Sequence, residues 1–519
     1  MADKFFTVNL YGGGIIIMKY TPETEIFHNL RIINAGAPVS QFEGVNGVYS
    51  PFGFFTDCYG RGYTGQQLRT ELDRLQKMGV TMVRSYYSPA LTWNQKTGRH
   101  DYEGERMQEF FRFCLALQER GIEIGLFAGW DLRILINAPE DPEEVPNRSA
   151  LTIGYGIAVP GDMEASCKNY SDFIKNSVLA FERHGIRNIK CMFAFTECNN
   201  MLIHDSSEGS FWERRNYKKL IPIYHAGIEA LDAGLRASGL RERYRIVAPC
   251  DNWRNDMGYE PYSILVRHTL AELGDKVDII GTHNGYDRSE HYTDDWYYII
   301  PQKKLQACCN EIRTAGKACW LDEYNVAVEA WELEPFIKAQ ADPWKGTALG
   351  AMTASVLDMG VSSVFLWALC DQLFTDSMLN NGEFKDGLQT AGYLRSMLET
   401  DIPLPAWYAC SLITRYFGRG GVYKCIQSSS LYSGCLKRED GEWSIIVVNY
   451  NRCSAAFQMT MDASLGGKTL YRHLYDPGQV EPTAAAGLIG ISDELENVST
   501  EFADMIPAGA VAVYTTRTD

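Results

Sequence analysis

Two glutamates stand where an apolar run turns polar. One closes the stretch Ile189-Lys-Cys-Met-Phe-Ala-Phe-Thr-Glu197, with Cys198, Asn199 and Asn200 following. The other closes Ala318-Cys-Trp-Leu-Asp-Glu323, and the chain continues as Tyr324 and Asn325. Buried parallel strands read as short apolar runs, and in barrels of such strands the carboxyl ends face the ligand. Two carboxyl groups in those places can divide acid/base and nucleophilic work between them. A lone strand-end carboxylate can equally serve a structural ion pair. A pair on separate strands, each leading into polar residues, favours chemistry.

Other polar and aromatic residues gather near the ends of similar runs. Arg84 lies inside Met82-Val-Arg-Ser-Tyr86. A buried Arg needs a carboxylate partner, and keeping a nucleophilic Glu ionised is one such job. His283 and Tyr286 follow an apolar run in Gly281-Thr-His-Asn-Gly-Tyr286. A phenol there can donate to a carboxylate, and an imidazole can hold a sugar hydroxyl. Trp367, in Phe365-Leu-Trp-Ala-Leu369, offers a flat face for a pyranose ring, or fills core. Trp130 and Asp131, and Asp251, Asn252 and Trp253, are weaker candidates for the same pocket.

Rival chemistries lack their residues. There is no GxSxG elbow for a serine hydrolase and no Gly-rich fingerprint opening a strand–helix unit for a dinucleotide. His204-Asp205 and His225 lack metal-ligand spacing, and Asp371 and Asp376 read as loop acids. Neither a metal nor a cofactor is expected.

The elements that would position these residues alternate from about residue 42 to about residue 417. Strands are expected at Gly44–Tyr49, Val80–Tyr86, Ile122–Phe127, Ile189–Phe195, Tyr244–Ala248, Val277–Thr282, Ala318–Leu321 and Ser363–Leu369. Helices, marked by apolar residues at helical spacing, are expected at Gly65–Met78, Gly104–Arg120, Ala165–His184, Tyr217–Ser238, Tyr262–Leu273, Pro301–Thr314, Thr347–Met359 and Ala406–Phe417. Gly79, Gly121, Gly185, Gly239, Gly274, Gly316, Gly360 and Gly418 follow the helices, as C-terminal caps would. Eight strand–helix units in succession predict a (β/α)8 barrel, with Glu197 ending strand four and Glu323 ending strand seven.

The flanks read differently. Short β-like runs occur at Phe5–Leu10, Gly14–Tyr20 and Leu30–Ile33, the first two separated by Gly12-Gly13-Gly14. After Gly418-Arg-Gly-Gly421, strands are expected at Val422–Ile426, Leu431–Leu436, Trp443–Tyr450, Ala456–Met461, Leu470–Asp476 and Ala510–Thr515, without helical periodicity. The expected fold class is α/β, a TIM barrel with a C-terminal β-sandwich completed by N-terminal strands. The expected division is residues 1–40 as strands packing with the sandwich, 41–417 as the barrel and 418–519 as the sandwich.

Bulk properties narrow the partners. With 519 residues and a formal net charge of −16, the chain is a poor match for nucleic acid or an anionic membrane, both of which favour Lys/Arg patches. A neutral oligosaccharide or glycoside fits at least as well, and a homo-oligomer stays open. The N-terminus carries no basic segment followed by an apolar run and a cleavage site, and Ile15–Met18 is too short to span a bilayer. Several of the 14 cysteines sit in apolar segments and none form a CxxC pair. Together these predict reduced thiols in a cytoplasmic protein.

Glycoside hydrolysis uses a carboxyl pair directly. One group protonates the leaving oxygen, while the other attacks the anomeric carbon or activates water. At this point the chain resembles the retaining glycoside hydrolases of the 4/7 superfamily, clan A. In organisation it is most similar to glycoside hydrolase family 39 and its relatives. Phe195-Thr-Glu-Cys-Asn-Asn200 looks like the strand-four acid/base motif, and Trp320-Leu-Asp-Glu-Tyr-Asn325 like the strand-seven nucleophile motif. Phe365-Leu-Trp-Ala-Leu-Cys-Asp371, then Gly387-Leu-Gln and Pro403-Leu-Pro-Ala-Trp-Tyr408, is similar to the strand-eight Trp and the run into helix eight. The resemblance implies acid/base Glu197, nucleophile Glu323 and supporting roles for Arg84, His283, Tyr286 and Trp367. The family motif usually carries Asn before the acid/base, contacting the sugar 2-hydroxyl, and Pro after it. Here Thr196 and Cys198 stand in those places, so Thr196 becomes the candidate for that contact.

The expected activity is therefore retaining hydrolysis, exo-acting on β-linked oligosaccharides or small glycosides: a β-galactoside, β-glucoside or β-xyloside. A non-catalytic carbohydrate-binding barrel, and a barrel lyase or metal-assisted hydrolase, are the alternatives.

Overall fold

The computed structural model describes residues 4–9, 15–20, 24–49, 65–87, 91–94, 96–129, 162–196, 217–252, 264–283, 302–324, 341–369, 372–373, 388–389, 402–428, 431–483 and 487–518. Eight strands close into a barrel: Val45–Val48, Met82–Tyr86, Glu123–Phe127, Ile189–Phe193, Arg245–Asn252, Ile279–His283, Ala318–Tyr324 and Ser363–Leu366. Every neighbouring pair is parallel, including the closure of strand eight on strand one. The helices between them run Gly65–Met78, Glu105–Glu119, Met163–Arg183, Tyr217–Ala237, Ile264–Glu272, Gln302–Thr314, Trp344–Leu357 and Pro405–Tyr416. Each expected barrel element is present, with ends shifted by a few residues.

Two shifts matter for the site. Strand seven continues through Asp322, Glu323 and Tyr324 rather than ending at Leu321, and strand six includes His283. Of the capping glycines, Gly79, Gly121, Gly185, Gly239, Gly316 and Gly360 have positive φ, but Gly274 and Gly418 do not. Those two helices therefore end without the left-handed turn that glycine favours.

Strand alternation sorts the barrel core into two layers. Met82, Cys191, Phe193, Val247, Ile279, Trp320 and Phe365 form the inner cluster. Val83, Met192, Ile246, Ile280, Leu321 and Val364 point the other way, into the layer shared with the helices.

The C-terminal strands form a two-layer β-structure around one corner strand, Gly420–Ile426. Its first half, Gly420 to Tyr423, pairs with Leu431–Arg438, while Lys424 to Ile426 pair with Thr24–Ile33. The chain thereby passes from one sheet to the other. Thr24–Ile33 also lies parallel to Ser454–Met461, so N-terminal chain completes the sandwich as expected. Lys4–Asn9 and Ile15–Tyr20 instead pair with one another in a separate two-stranded sheet. Two further strands, Ile491–Val498 and Glu501–Ile506, were not expected. The first is almost wholly exposed at a sheet edge and carries Asp493, Glu494 and Glu496, so it has no buried face to leave a periodic signal.

One sheet is buried on both faces. Along Trp443–Asn449, Ile445 and Val447 enter the sandwich core, while Ile446 and Val448 join the barrel core. Val511 and Val513 likewise face the barrel, and Ala512 and Tyr514 face the sandwich. The helix between them, Trp344–Leu357, is buried along almost its entire length, as an all-round apolar helix must be. Its glycines allow the close approach: a Cβ on Gly350 would lie 2.8 Å from Val511 Cγ2. Among the described residues no helix is long and apolar enough to cross a membrane.

Gly350→Val is expected to lower stability by about 1–3 kcal/mol, the usual range for overpacking a dense interface. The urea midpoint measures this. An unchanged midpoint would show that the helix and the sheet can part at no cost.

Candidate active site

Strand two places Met82, Arg84 and Tyr86 on the lumen side. The Arg84 guanidinium is fully buried and joins the candidates from three other strands. Nη1 donates to Glu323 Oε1 on strand seven, lies 3.5 Å from Asp322 Oδ2 and 3.3 Å from His283 Nε2 on strand six. It also reaches the Asp322 carbonyl oxygen at 3.3 Å. Nη2 donates to Thr196 Oγ1 at 2.8 Å, at the end of strand four. The Phe193 ring lies under the guanidinium, 4.9 Å from its carbon.

Glu323 is 4% exposed and is gripped at both oxygens. Oε1 takes Arg84 and, at 3.4 Å, the Tyr86 hydroxyl. Oε2 lies 3.3 Å from His283 Nδ1. The other ring nitrogen, His283 Nε2, is 3.4 Å from Asp322 Oδ2.

Regular alternation would send Asp322 and Glu323 to opposite faces. The pairing shows why both reach the lumen. Thr282 is opposite Leu321 but His283 is opposite Glu323, and on the other side the register slips between Leu321 and Tyr324. The extra residue of such a bulge re-aims a side chain. Tyr324 then resumes the outward direction, and its hydroxyl meets Thr353 Oγ1 on the buried helix at 2.8 Å. Room for the Asp322 carboxylate comes from Gly281, where a Cβ would lie 3.1 Å from Asp322 Cγ and 2.9 Å from Cys250 Sγ.

The electrostatics follow from this geometry. Burial works against the Arg84 charge, but Glu323, Tyr86 and Asp322 outweigh it and raise its pKa. Burial likewise works against ionised Asp322, yet His283 and Arg84 hold its pKa below the usual value. Buried charges persist only when paired in this way.

Of the expected site residues, the structure brings Arg84, Thr196, His283 and Glu323 into one cluster. Trp367 lies close by, 6% exposed and packed with Val48, Tyr86 and Ala368. Glu197, Trp130 and Tyr286 lie outside the described residues, as do Asp131 and Trp253. Asp251 is buried on strand five, its carbonyl accepting the Thr282 hydroxyl at 3.3 Å. His225 meets His268 at 3.0 Å between two outer helices, apart from the Arg84 cluster. Two participants were not nominated from the sequence, Tyr86 and Asp322. Tyr86 had a signal, since it shares the face of Arg84 two residues away. Asp322 shares the face of Trp320, two residues before it, and the bulge then brings Glu323 to the same face.

No family model matches the sequence, and no curated protein matches it. Solved structures do. A glycoside hydrolase family 30 subfamily 8 xylanase from Clostridium acetobutylicum is 13% identical with a TM-score of 0.59, over 94% of this chain and 99% of that one. An α-L-arabinofuranosidase from Thermotoga maritima is 14% identical with a TM-score of 0.58, over the same shares. A family 39 enzyme from Xanthomonas axonopodis pv. citri is 12% identical with a TM-score of 0.56, over 95% and 97%. At these identities the likeness shows the fold, a barrel with an appended β-domain spanning nearly the whole of each chain.

Replacing Arg84 by Met leaves the carboxylates buried without the guanidinium, and is expected to cost about 3–5 kcal/mol near pH 7. Because the Asp322 pKa is depressed in the folded chain, its share is present above the unfolded value of about 3.9 and lost as pH falls through the folded value. The gap between wild type and Arg84→Met should therefore narrow on acidification. Urea midpoints near pH 7 and near pH 3 measure it; a constant gap would show that Arg84 does not hold Asp322.

Proposed function

We propose that the chain is a retaining glycoside hydrolase in which Glu323 is the nucleophile and Glu197 the acid/base. The observation that carries the reading is the Glu323 carboxylate, set at the carboxyl end of strand seven between Arg84 at one oxygen and His283 at the other. A carboxylate held this way is kept ionised and oriented, which a nucleophile requires. Thr196, which accepts a hydrogen bond from the same guanidinium, directly precedes Glu197 in the sequence.

In the first step a Glu323 oxygen attacks the anomeric carbon and the glycosidic bond breaks. Glu197 gives its proton to the leaving oxygen. In the second, Glu197 takes a proton from water, the hydroxide attacks the anomeric carbon, and Glu323 leaves as carboxylate. Arg84 and Tyr86 hold the nucleophile. Trp367, with Trp130 and Tyr286, shapes the sugar pocket. The Thr196 oxygen accepts from Arg84, which leaves its own proton for a substrate hydroxyl.

The proposed substrates are β-linked oligosaccharides or small glycosides attacked from one end, with a β-galactosyl, β-glucosyl or β-xylosyl group in the pocket.

The deciding experiment is covalent labelling with a panel of activated 2-deoxy-2-fluoro glycosides, followed by digestion and mass spectrometry. The expected label sits on Glu323 and its sugar names the pocket. A label on another carboxylate would overturn the residue assignment. No label, together with no turnover of the matching aryl glycosides, would favour a carbohydrate-binding barrel. Separately, Glu197→Ala is expected to slow hydrolysis of glycosides with poor leaving groups by about 10²–10⁴, and to spare activated aryl glycosides, whose departure needs no proton.

A further inference from the structure

His283 sits between two carboxylates, with Nδ1 3.3 Å from Glu323 Oε2 and Nε2 3.4 Å from Asp322 Oδ2. His283 and Asp322 are fully buried and Glu323 nearly so. An imidazole with one proton can donate to only one of the two carboxylates. Its other nitrogen would then turn a lone pair toward an oxygen lone pair, and the buried cluster of Arg84, Asp322 and Glu323 would carry an excess negative charge. A doubly protonated ring sets a cation within 3.4 Å of Asp322 Oδ2 and 3.3 Å of Glu323 Oε2, and two cations then meet two anions.

We infer that Asp322 is a positioning residue that keeps His283 doubly protonated, so that Glu323 faces a cation at each of its two oxygens. Asp322 touches no reacting atom; it acts through the imidazolium. This deepens the proposal that Glu323 is the nucleophile and rests on it for its catalytic meaning. With both oxygens held, the carboxylate plane cannot turn freely. When Glu323 becomes a neutral ester, Arg84 and His283 face only Asp322. The resulting excess of positive charge favours return of the carboxylate in the second step. The depressed pKa of Asp322, due to His283 and Arg84 against the effect of burial, agrees with an ionised partner.

The groups facing the ring come from three neighbouring directions. Strand seven supplies Asp322 and Glu323, strand two supplies Arg84, with Tyr86 on the far side of Glu323, and strand five supplies Cys250 beside Asp322. The rival arrangement is a neutral ring whose Nε2 accepts from Arg84 Nη1, 3.3 Å away. It would leave Asp322 without a proton donor on the ring.

The two are separated by ¹⁵N-histidine NMR of the intact chain, with His283 assigned by the signal lost in His283→Gln. The ring should carry both protons at neutral pH. In Asp322→Asn its titration midpoint should fall by about 1–3 pH units, the usual effect of a nearby opposite charge. A singly protonated His283 in the wild type at neutral pH would overturn the inference, as would a midpoint unmoved in folded Asp322→Asn. Should Asp322→Asn fail to fold, as its melting curve would show, the wild-type protonation state decides alone. The readout is independent of turnover, so an error in the hydrolase assignment would leave it unchanged.

Discussion

A guanidinium buried in the lumen of a barrel sets the terms for everything near it. Arg84 has no access to water, so its charge must be met by the protein. The partners come from strands four, six and seven: Thr196, His283, Asp322 and Glu323. Contacts across the lumen of this kind tie distant parts of the chain together in a way that pairing between neighbouring strands does not. They also define one end of the barrel chemically, since the inner layer below Arg84 is apolar, built from Met82, Phe193, Ile279, Trp320 and Phe365.

Two backbone features make the cluster feasible. The bulge in strand seven brings consecutive carboxylates to the same face, and the absent side chain at Gly281 leaves space for one of them. Strand seven is in turn anchored from outside, where Tyr324 meets Thr353 on the helix at Trp344–Leu357. That helix is clamped between barrel and sandwich, with Gly350 against Val511. A continuous path of packing therefore runs from the sandwich to Glu323. Rigid support of this sort fixes the direction of the Glu323 side chain, and it gives the β-domain a structural share in the Arg84 cluster.

Thr196 is held by the buried cation. In the motif that the chain resembles, Asn occupies this position and reaches the sugar. In this chain Thr196 Oγ1 accepts from Arg84 Nη2 at 2.8 Å. It thereby joins strand four to the charge cluster, and any contact with a substrate would use its remaining proton.

The fold was legible because its signals are local. Apolar runs separated by helical periodicity marked the eight strand–helix units, and six of the eight glycines that follow the helices take the left-handed turn. Pairing of Arg84 with a carboxylate could also be foreseen, since a charged residue inside an apolar strand demands a counter-charge. What the sequence could not show was non-local. The exposed strand Ile491–Val498 has no buried face, so nothing in its pattern distinguished it from a loop. The place of Thr24–Ile33 between two C-terminal strands depends on pairings with chain some four hundred residues away. Alternation in a regular strand allows only one of Asp322 and Glu323 to face the lumen, so nominating Glu323 left Asp322 on the outward face. In the barrel Asp322 follows Trp320 into the lumen, against His283 and Arg84, and the slip in register against both adjacent strands turns Glu323 to the same side. Residue type and spacing determined which groups were available and on which elements. Strand register, decided only when the barrel closes, determined which of them meet.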